Sequence, residues 1–219
     1  MNEAGSPIRM VVFDIGGVLV RIAPWEEAHS ACNFAPDQLP PLDEFLPQLS
    51  LLNQAYDRGD LEPDTYAKEV ADAAGGSYLP RDVHRIHGAV CTTEYPGLHL
   101  LFDELEGAGL AVGVLSNTNV RHWQRLSGSH DGGREYPLIS RAHHAHASFF
   151  LKCSKPDPEI YRAFVRKAAV QPGEILFFDD LERNVAAARA MGWRAERIDP
   201  DVPTAPQLVA WLQAHSVLP

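Results

Sequence analysis

Cysteine is scarce in this chain. The 219 residues include only three cysteines, Cys32, Cys91 and Cys153, and they lie far apart. An odd and widely spaced set predicts neither a disulfide framework nor a metal site built from thiolates, and it is typical of a reducing compartment. We therefore expect a cytoplasmic protein in which the three thiols act as small buried or half-buried hydrophobic groups.

Positive charge is also in short supply. Lysine and arginine number 19 against 29 aspartates and glutamates, which gives a formal net charge of −10. A surface with this balance lacks the basic stripe that a nucleic acid or an anionic membrane needs, so we expect neither as the main partner. A small phosphorylated ligand stays compatible with the charge, because it requires only one local cationic pocket.

The chain lacks a long uninterrupted apolar run. Its first seven residues are small and polar, and the apolar run after them is broken by Asp14, which predicts neither a signal peptide nor a membrane span. Hydrophobic residues make up 45% and charged residues 22% of the chain. These fractions indicate a globular protein, and the length suits one large domain or one domain that carries an insertion. For its assembly we expect a monomer or homodimer.

Buried strands alternate with helices in most of the chain. From Tyr95 onward the helices are predicted by apolar stripes at helical spacing, such as the stripe over residues 98–105. Strands separated by helices pair in parallel, so we predict an α/β fold with a doubly wound, Rossmann-like parallel sheet. The predicted strands cover residues 10–15, 110–115, 143–147, 174–178 and 194–198.

A different pattern interrupts the alternation after the first strand. Residues 24–92 contain many prolines and no convincing strand, and a helix is predicted from Pro63 to the Gly75-Gly76 pair. We therefore predict a core domain of residues 1–20 and 95–219, with a small all-helical cap of residues 21–94 inserted into it. The Gly-, Ser- and charge-rich residues 127–141 predict a surface excursion.

Polar side chains follow three of the predicted strands directly. Asp14, Ser116 and the pair Asp179-Asp180 should share the edge of the sheet at which parallel strands end, where ligands bind in such folds. Each alone is typical of a turn or helix cap. Together with Lys155 they suit phosphoryl transfer, which uses a carboxylate nucleophile, a divalent cation held by carboxylates, and donors to the phosphate oxygens.

The same residues lie in four ordered segments through which the chain resembles the haloacid dehalogenase superfamily. The resemblance is to its phosphatase-like members with a helical cap after the first strand, and it covers nearly the whole chain. The segments are residues 13–19 (FDIGGVL), 114–119 (VLSNTN), 155–161 (KPDPEIY) and 177–180 (FFDD), with Asn184 four residues further on.

The resemblance implies a role for each matching residue. Asp14 is expected to be the nucleophile and a Mg²⁺ ligand, and Gly16 to offer its backbone carbonyl to the same ion. The remaining expected roles are phosphate binding by Ser116, Asn117 and Lys155, metal binding by Asp180, and support from Asp179 and Asn184. The implied activity is a magnesium-dependent phosphatase of a small phosphorylated metabolite, a sugar phosphate being one candidate, that works through an aspartyl-phosphate.

Gly16 departs from the pattern of the family's phosphatases. They usually carry an aspartate at this position, which protonates the leaving group and activates water. Loss of a general acid and base typically costs ~10²–10⁴ in rate. We therefore expect a slow phosphatase, or one restricted to leaving groups that need little protonation, such as anomeric sugar phosphates or acyl phosphates.

Two alternatives remain open, and a third is discounted. Haloacid dehalogenases of the superfamily also lack the second aspartate, but they use no metal, so the pair Asp179-Asp180 favours phosphoryl transfer. A protein that binds a phosphometabolite without catalysis would also explain Gly16, although it would not need Asp14 and Lys155. A response-regulator receiver uses similar groups, but its acidic pair comes early in a shorter chain.

Two further segments carry polar residues without a clear role. His143, His144 and His146 invite a metal assignment, but no carboxylate or cysteine near them in sequence completes a ligand set, and a half-exposed strand or loop is favoured. Arg58, in the segment 56–60 (YDRGD), is a candidate for substrate binding. A solvated charge run at a helix end explains it equally well, so we leave it out of the predicted site.

Overall fold

The computed structural model describes residues 7–128 and 135–219. The polar residues 1–6 and the central part of the predicted excursion, residues 129–134, lie outside the described residues. The strands are β1 (Met10–Phe13), β2 (Val20–Ile22), β3 (Cys91–Glu94), β4 (Ala111–Ser116), β5 (His144–Ala147), β6 (Ile175–Asp179) and β7 (Arg194–Arg197). The helices are α1 (Trp25–Ala31), α2 (Leu42–Asp57), α3 (Pro63–Ala73), α4 (Pro80–Val90), α5 (Leu98–Gly107), α6 (Val120–Leu126), α7 (Pro137–Ser140), α8 (Ser148–Leu151), α9 (Pro158–Ala168), α10 (Glu182–Ala190) and α11 (Thr204–Ala214).

Five strands form one parallel sheet in the order β5-β4-β1-β6-β7. The central strand β1 pairs with β4 on one side and with β6 on the other, both in parallel register. All four of its residues are buried. A parallel sheet with both faces covered by helices requires such a continuous apolar strand. The predicted doubly wound α/β fold is confirmed.

Alternate side chains of β1 belong to two separate apolar layers. Val11 and Phe13 face one side, where Phe102 of α5 packs, and Phe13 stacks on Phe102 with 5.3 Å between ring centroids. Val12 faces the other side, together with Phe164 of α9. The period of two along the strand therefore anchors helices on both faces of the sheet.

Helices α1 to α4 form an apolar cluster of their own. Trp25, Phe45, Tyr66 and Val83 are among its buried members, and α1 packs on α4 while α3 packs on both α2 and α4. We call α1 to α4 the helical insertion. The separate cluster agrees with the cap predicted over residues 21–94, whose boundaries stay a prediction.

The insertion leaves and re-enters the core through a two-stranded antiparallel ribbon of β2 and β3. Val20 pairs with Glu94, and Ile22 pairs with Cys91. The expectation of no strand within residues 24–92 is therefore wrong at its end, where β3 begins at Cys91. The short sequence CTTE has no apolar alternation, so only its pairing with β2 makes it a strand.

The described end of the predicted surface excursion is buried instead. Tyr136, Leu138 and Ile139 are almost inaccessible to solvent, and Leu138 and Ile139 belong to α7. The hydroxyl of Tyr136 donates to the backbone oxygens of Cys91 and Thr92, at 3.0 and 2.9 Å. This segment therefore packs against β3 of the ribbon through Tyr136. The contact joins residues that lie far apart in the sequence, so local composition does not reveal it.

The cysteines agree with the expectation of small buried or half-buried groups. All three cysteines are free, with Cys91 and Cys153 buried and Cys32 half-buried. No described helix combines the length and the apolar composition that crossing a lipid bilayer requires.

Candidate active site

Asp14 lies at the carboxyl end of the central strand. Its backbone N–H donates to the carbonyl of Phe178 on β6 at 2.8 Å, and its Oδ1 accepts from the N–H of Ile15 at 2.7 Å. Ser116 ends the neighbouring strand β4 and is also buried. The structure therefore brings the predicted strand-end residues to one edge of the sheet, because β1, β4 and β6 run in parallel.

Lys155 reaches this edge from the turn before α9. Its Nζ lies 3.0 Å from Oδ2 of Asp14 and 2.6 Å from Oδ2 of Asp179, and the residue is only 4% exposed. Asn117 positions its backbone, since Oδ1 of Asn117 accepts from the Lys155 N–H at 2.8 Å and Nδ2 donates to the Lys155 carbonyl at 2.9 Å. The side chain of Asn117 is thus engaged with the Lys155 backbone, so a role in phosphate binding would fall to its own backbone N–H.

Asp179 is completely buried, and its carboxylate is fully engaged. Besides Lys155 it accepts from the N–H of Leu181 at 2.9 Å and from Nδ2 of Asn184 at 2.8 Å. Through these contacts Asp179 and Asn184 hold Lys155 and the loop after β6 in place, in keeping with the supporting roles that we expect for them.

Three carboxylates crowd together at this point. Oxygen atoms of Asp14, Asp179 and Asp180 all lie within 4.8 Å of one another. Burial raises the pKa of Asp14 to about 7 and that of Asp180 to about 6, and the neighbouring carboxylates act in the same direction while Lys155 opposes them. Lys155 alone does not balance three carboxylates, and a donor set of oxygen atoms fits a hard divalent cation such as Mg²⁺.

The two glycines after Asp14 differ in what surrounds them. Gly17 has φ +73°, and a Cβ at this position would lie 2.9 Å from Cγ of Asp180, so the close approach requires glycine. A Cβ on Gly16 would lie 3.1 Å from Cγ1 of Ile22 on β2. The Ile22 side chain therefore crowds the space that a catalytic side chain at position 16 would enter.

A cavity of about 220 Å³ lies between this edge of the sheet and the helical insertion. Its core side includes Asp14, Ser116 and Asn119, and its other wall comes from the insertion. Further polar side chains that line it were not predicted from the sequence, among them Asp57, His87, Asn119 and His122.

Arg58 does not line this cavity, although its neighbour Asp57 does. The guanidinium of Arg58 forms an exposed ion pair with Asp60 at 2.8 Å, as expected for a charge run at a helix end. The sequence offers only a weak signal for Asp57. A carboxylate in the last turn of a helix interacts unfavourably with the helix dipole, which is the one local hint of a further role.

Two histidines join the insertion to the core beside the cavity. The rings of His87 on α4 and His122 on α6 stack with 3.9 Å between centroids and 4° between planes. Burial lowers the pKa of both, that of His122 to about 4, so both are neutral at physiological pH. The Nε2–H of His122 donates to the carbonyl of His87 at 2.8 Å, which assigns its proton to that nitrogen.

The other histidine cluster lies on β5 and just before it. His144 and His146 lie on β5 with 6.3 Å between their rings, and Nδ1 of His143 accepts from the N–H of Val112 at 3.2 Å. In the described part of the chain these residues join no group of three metal-ligating side chains. The preference for a half-exposed strand is confirmed, since the side chains of β5 are mostly half-buried.

Similar proteins include phosphatases of phosphorylated small molecules, judged by their names. The chain is 26% identical over 208 residues to N-acetylmuramic acid 6-phosphate phosphatase of Pseudomonas aeruginosa, covering 87% of this chain and 81% of that protein. It is 25% identical to D-ribitol-5-phosphate phosphatase of Bacteroides thetaiotaomicron, covering 85% and 89%. A HAD-family enzyme of Bacteroides thetaiotaomicron, solved with magnesium and inorganic phosphate, has the same fold, with a TM-score of 0.74, 22% identity and coverage of 89% and 96%.

The family model of haloacid dehalogenase-like hydrolases matches residues 8–192, which include all four segments of the site. The fold, the carboxylate cluster and this match agree. The chain therefore belongs to the haloacid dehalogenase-like hydrolase family.

Proposed function

We propose that this hydrolase is a magnesium-dependent phosphatase of a small phosphorylated metabolite, with sugar phosphates as the first candidates. The observation that carries the proposal is Lys155, whose Nζ lies between the carboxylates of Asp14 and Asp179. Asp14 in turn lines the cavity beside this edge of the sheet. A cation beside a strand-end carboxylate suits a nucleophile that must approach an anionic phosphate.

Asp14 is the nucleophile in this proposal. An oxygen of its carboxylate attacks phosphorus, the bond from phosphorus to the leaving oxygen breaks, and an aspartyl-phosphate forms. Lys155, the hydroxyl of Ser116 and the backbone N–H of Asn117 bind the phosphate oxygens. Water then attacks phosphorus, which releases inorganic phosphate and restores Asp14.

Asp14, Asp180 and the carbonyl of Gly16 are the residues that would hold Mg²⁺. The bound ion supplies positive charge that offsets the repulsion between the carboxylates and the substrate phosphate. Asp179 and Asn184 keep Lys155 and the loop after β6 in position through the hydrogen bonds described above.

The helical insertion, as a cap of residues 21–94, covers the site and provides contacts to the rest of the substrate. The similarity to N-acetylmuramic acid 6-phosphate phosphatase and to D-ribitol-5-phosphate phosphatase supports this substrate class. Because position 16 carries no acid, the leaving group either departs without a proton or receives one from another residue in the cavity.

The test is a panel of phosphorylated sugars, polyols and acyl phosphates assayed for phosphate release with and without magnesium. We expect magnesium-dependent turnover that the Asp14→Asn variant lacks. Activity that persists in this variant, or that ignores a chelator, contradicts the mechanism. Halide release from a 2-haloacid without phosphatase activity would instead support the dehalogenase alternative.

A further inference from the structure

Asp57 connects the helical insertion to the core at the active site. It is the last residue of α2, and its backbone carbonyl accepts from the hydroxyl of Ser148. The same hydroxyl oxygen accepts from the N–H of Thr118 at 2.9 Å, two residues beyond Ser116. One residue past Arg58, the carbonyl of Gly59 accepts from Nζ of Lys152 at 2.7 Å. The end of α2 is therefore fixed against the loop that follows β4.

The carboxylate of Asp57 is oriented by Asn119. Oδ1 of Asn119 accepts from the N–H of His122 and caps α6, so its Nδ2 faces the insertion. Nδ2 donates to Oδ1 of Asp57 at 3.0 Å. The other oxygen, Oδ2, has no hydrogen-bond partner among the described residues. Asp57 thus presents one engaged and one free oxygen, and it lines the same cavity as Asp14.

The other titratable groups around the cavity are poor proton donors. His87 and His122 are neutral because burial lowers their pKa, and the single ring proton of His122 is bound to a backbone carbonyl. Burial raises the pKa of the Cys91 thiol to about 12. Lys155 is held by two carboxylates.

Asp57 differs from these groups. Burial raises its pKa to about 6, although the hydrogen bond from Asn119 acts in the opposite direction. A carboxyl with this pKa keeps its proton to a higher pH than a solvated aspartate does, and general acids in enzymes are commonly adjusted in this way.

We propose that Asp57, from the helical insertion, is the general acid and base that replaces the missing side chain at position 16. The inference rests on the proposed phosphatase function and assigns a further catalytic residue to it. The proton source thereby moves from the loop after β1 to the end of α2 in the insertion, which the contacts to Ser148 and Asn119 hold beside the cavity.

The proton is accounted for in both steps. When Asp14 attacks phosphorus, the carboxyl of Asp57 gives its proton to the leaving oxygen, so an alcohol departs and Asp57 becomes a carboxylate. That carboxylate then takes a proton from the water that attacks the aspartyl-phosphate. Inorganic phosphate leaves, and both aspartates return to their starting states.

The experiment compares two substrates that differ in their need for a proton. One is the best alkyl phosphate of the panel, which leaves as an alkoxide unless it is protonated. The other is 4-nitrophenyl phosphate, whose leaving group departs without protonation. The measured quantity is kcat/KM, because it reports only the steps up to release of the first product.

We expect Asp57→Asn to lower kcat/KM for the alkyl phosphate ~10²-fold or more, while the value for 4-nitrophenyl phosphate changes only a few-fold. The Asn side chain can still accept the hydrogen bond from Asn119, so the contact between insertion and core survives. Asp60→Asn is the matched control, since Asp60 is an exposed carboxylate on the same turn. It should leave both values unchanged.

The outcomes separate this inference from the proposed function. Equal losses on both substrates, or no loss on either, overturn the role of Asp57 while leaving the phosphatase intact. A wild type that hydrolyses only 4-nitrophenyl phosphate also overturns it, because no internal acid would then be acting. If the phosphatase proposal itself is wrong, the Asp14→Asn variant stays active.

Discussion

Gly17 and Asp180 lie so close that a Cβ on the glycine would come within 2.9 Å of the aspartate's Cγ. The loop after β1 therefore closes directly over the second carboxylate of the proposed metal site. The position of Asp180 depends on a residue that has no side chain.

Replacing Gly17 by alanine should displace Asp180 and weaken metal binding. The substitution also strains a backbone at φ +73°, which costs roughly 1–2 kcal/mol. We expect at least a tenfold increase in the Mg²⁺ concentration that gives half-maximal activity. Gly75→Ala is the control, because Gly75 has φ +62° and no atom within 4 Å of its Cβ position. If Gly75→Ala raised the required Mg²⁺ concentration equally, backbone strain alone would explain the effect, without displacement of Asp180.

Lys155→Met should both inactivate and destabilise the protein. It leaves the buried carboxylates of Asp14 and Asp179 without their cation, and breaking such a buried pair typically costs ~3–5 kcal/mol. Urea unfolding at neutral pH measures the loss. Lys167→Met, an exposed lysine on α9, should leave the free energy of unfolding within about 0.5 kcal/mol of the wild type. If Lys155→Met and the wild type had the same urea unfolding midpoint, this explanation of the stability would be wrong.

Asp57→Asn should stabilise the folded protein at neutral pH while impairing catalysis. The pKa of Asp57 is about 6 when folded against an ordinary 3.8. The folded state therefore binds the proton more tightly, and this group makes the protein less stable as pH rises from about 4 to 6. Above that range the full cost of ionising buried Asp57, on the order of 3 kcal/mol, is absent from the variant.

The measurement is the urea unfolding free energy of both proteins at pH 7.5 and pH 4. We expect the variant's advantage to be large at pH 7.5 and to shrink at pH 4, where the wild-type carboxyl is largely protonated. Asp60→Asn should show no such pH-dependent difference, since Asp60 is exposed. An equal advantage at both pH values would mean that Asp57 does not titrate as described.

An acid restored at position 16 should rescue the Asp57→Asn variant. Ile22 lies 3.1 Å from the Cβ position of Gly16 and is 42% exposed, so Ile22→Ala makes room without opening the core. Adding Gly16→Asp and Ile22→Ala should raise kcat/KM for the alkyl phosphate about tenfold or more. Gly16→Asn in the same background supplies a side chain of equal size without the acid. Equal rescue by asparagine would exclude proton transfer as its cause.

The sequence alone was sufficient for the fold and for the residues that end parallel strands. Asp14, Ser116 and Asp179 could be brought together because continuous apolar strands and their alternation with helices fix which ends meet. Lys155 and Asn184 were added by their position in the family's segments.

Asp57 and Ile22 could not be found in this way. Their roles depend on how the insertion docks on the core, through Ser148, Asn119 and the ribbon of β2 and β3. The local sequence around an aspartate at a helix end, or around an isoleucine in a short strand, does not reveal which part of the folded protein the side chain faces. Tyr136 was missed for a similar reason, because its burial comes from contact with β3.

The ribbon of β2 and β3 has a consequence for how such proteins diverge. Because Val20 pairs with Glu94, the segment between them begins and ends at neighbouring points of the core. Exchanging that segment for another of different length would not stretch the sheet or alter its strand order, and longer segments add only slowly to the cost of loop closure. On the proposed function, exchanging this segment would change the substrate contacts and the proton donor together, while Ser116 and Lys155 stay in place on the core.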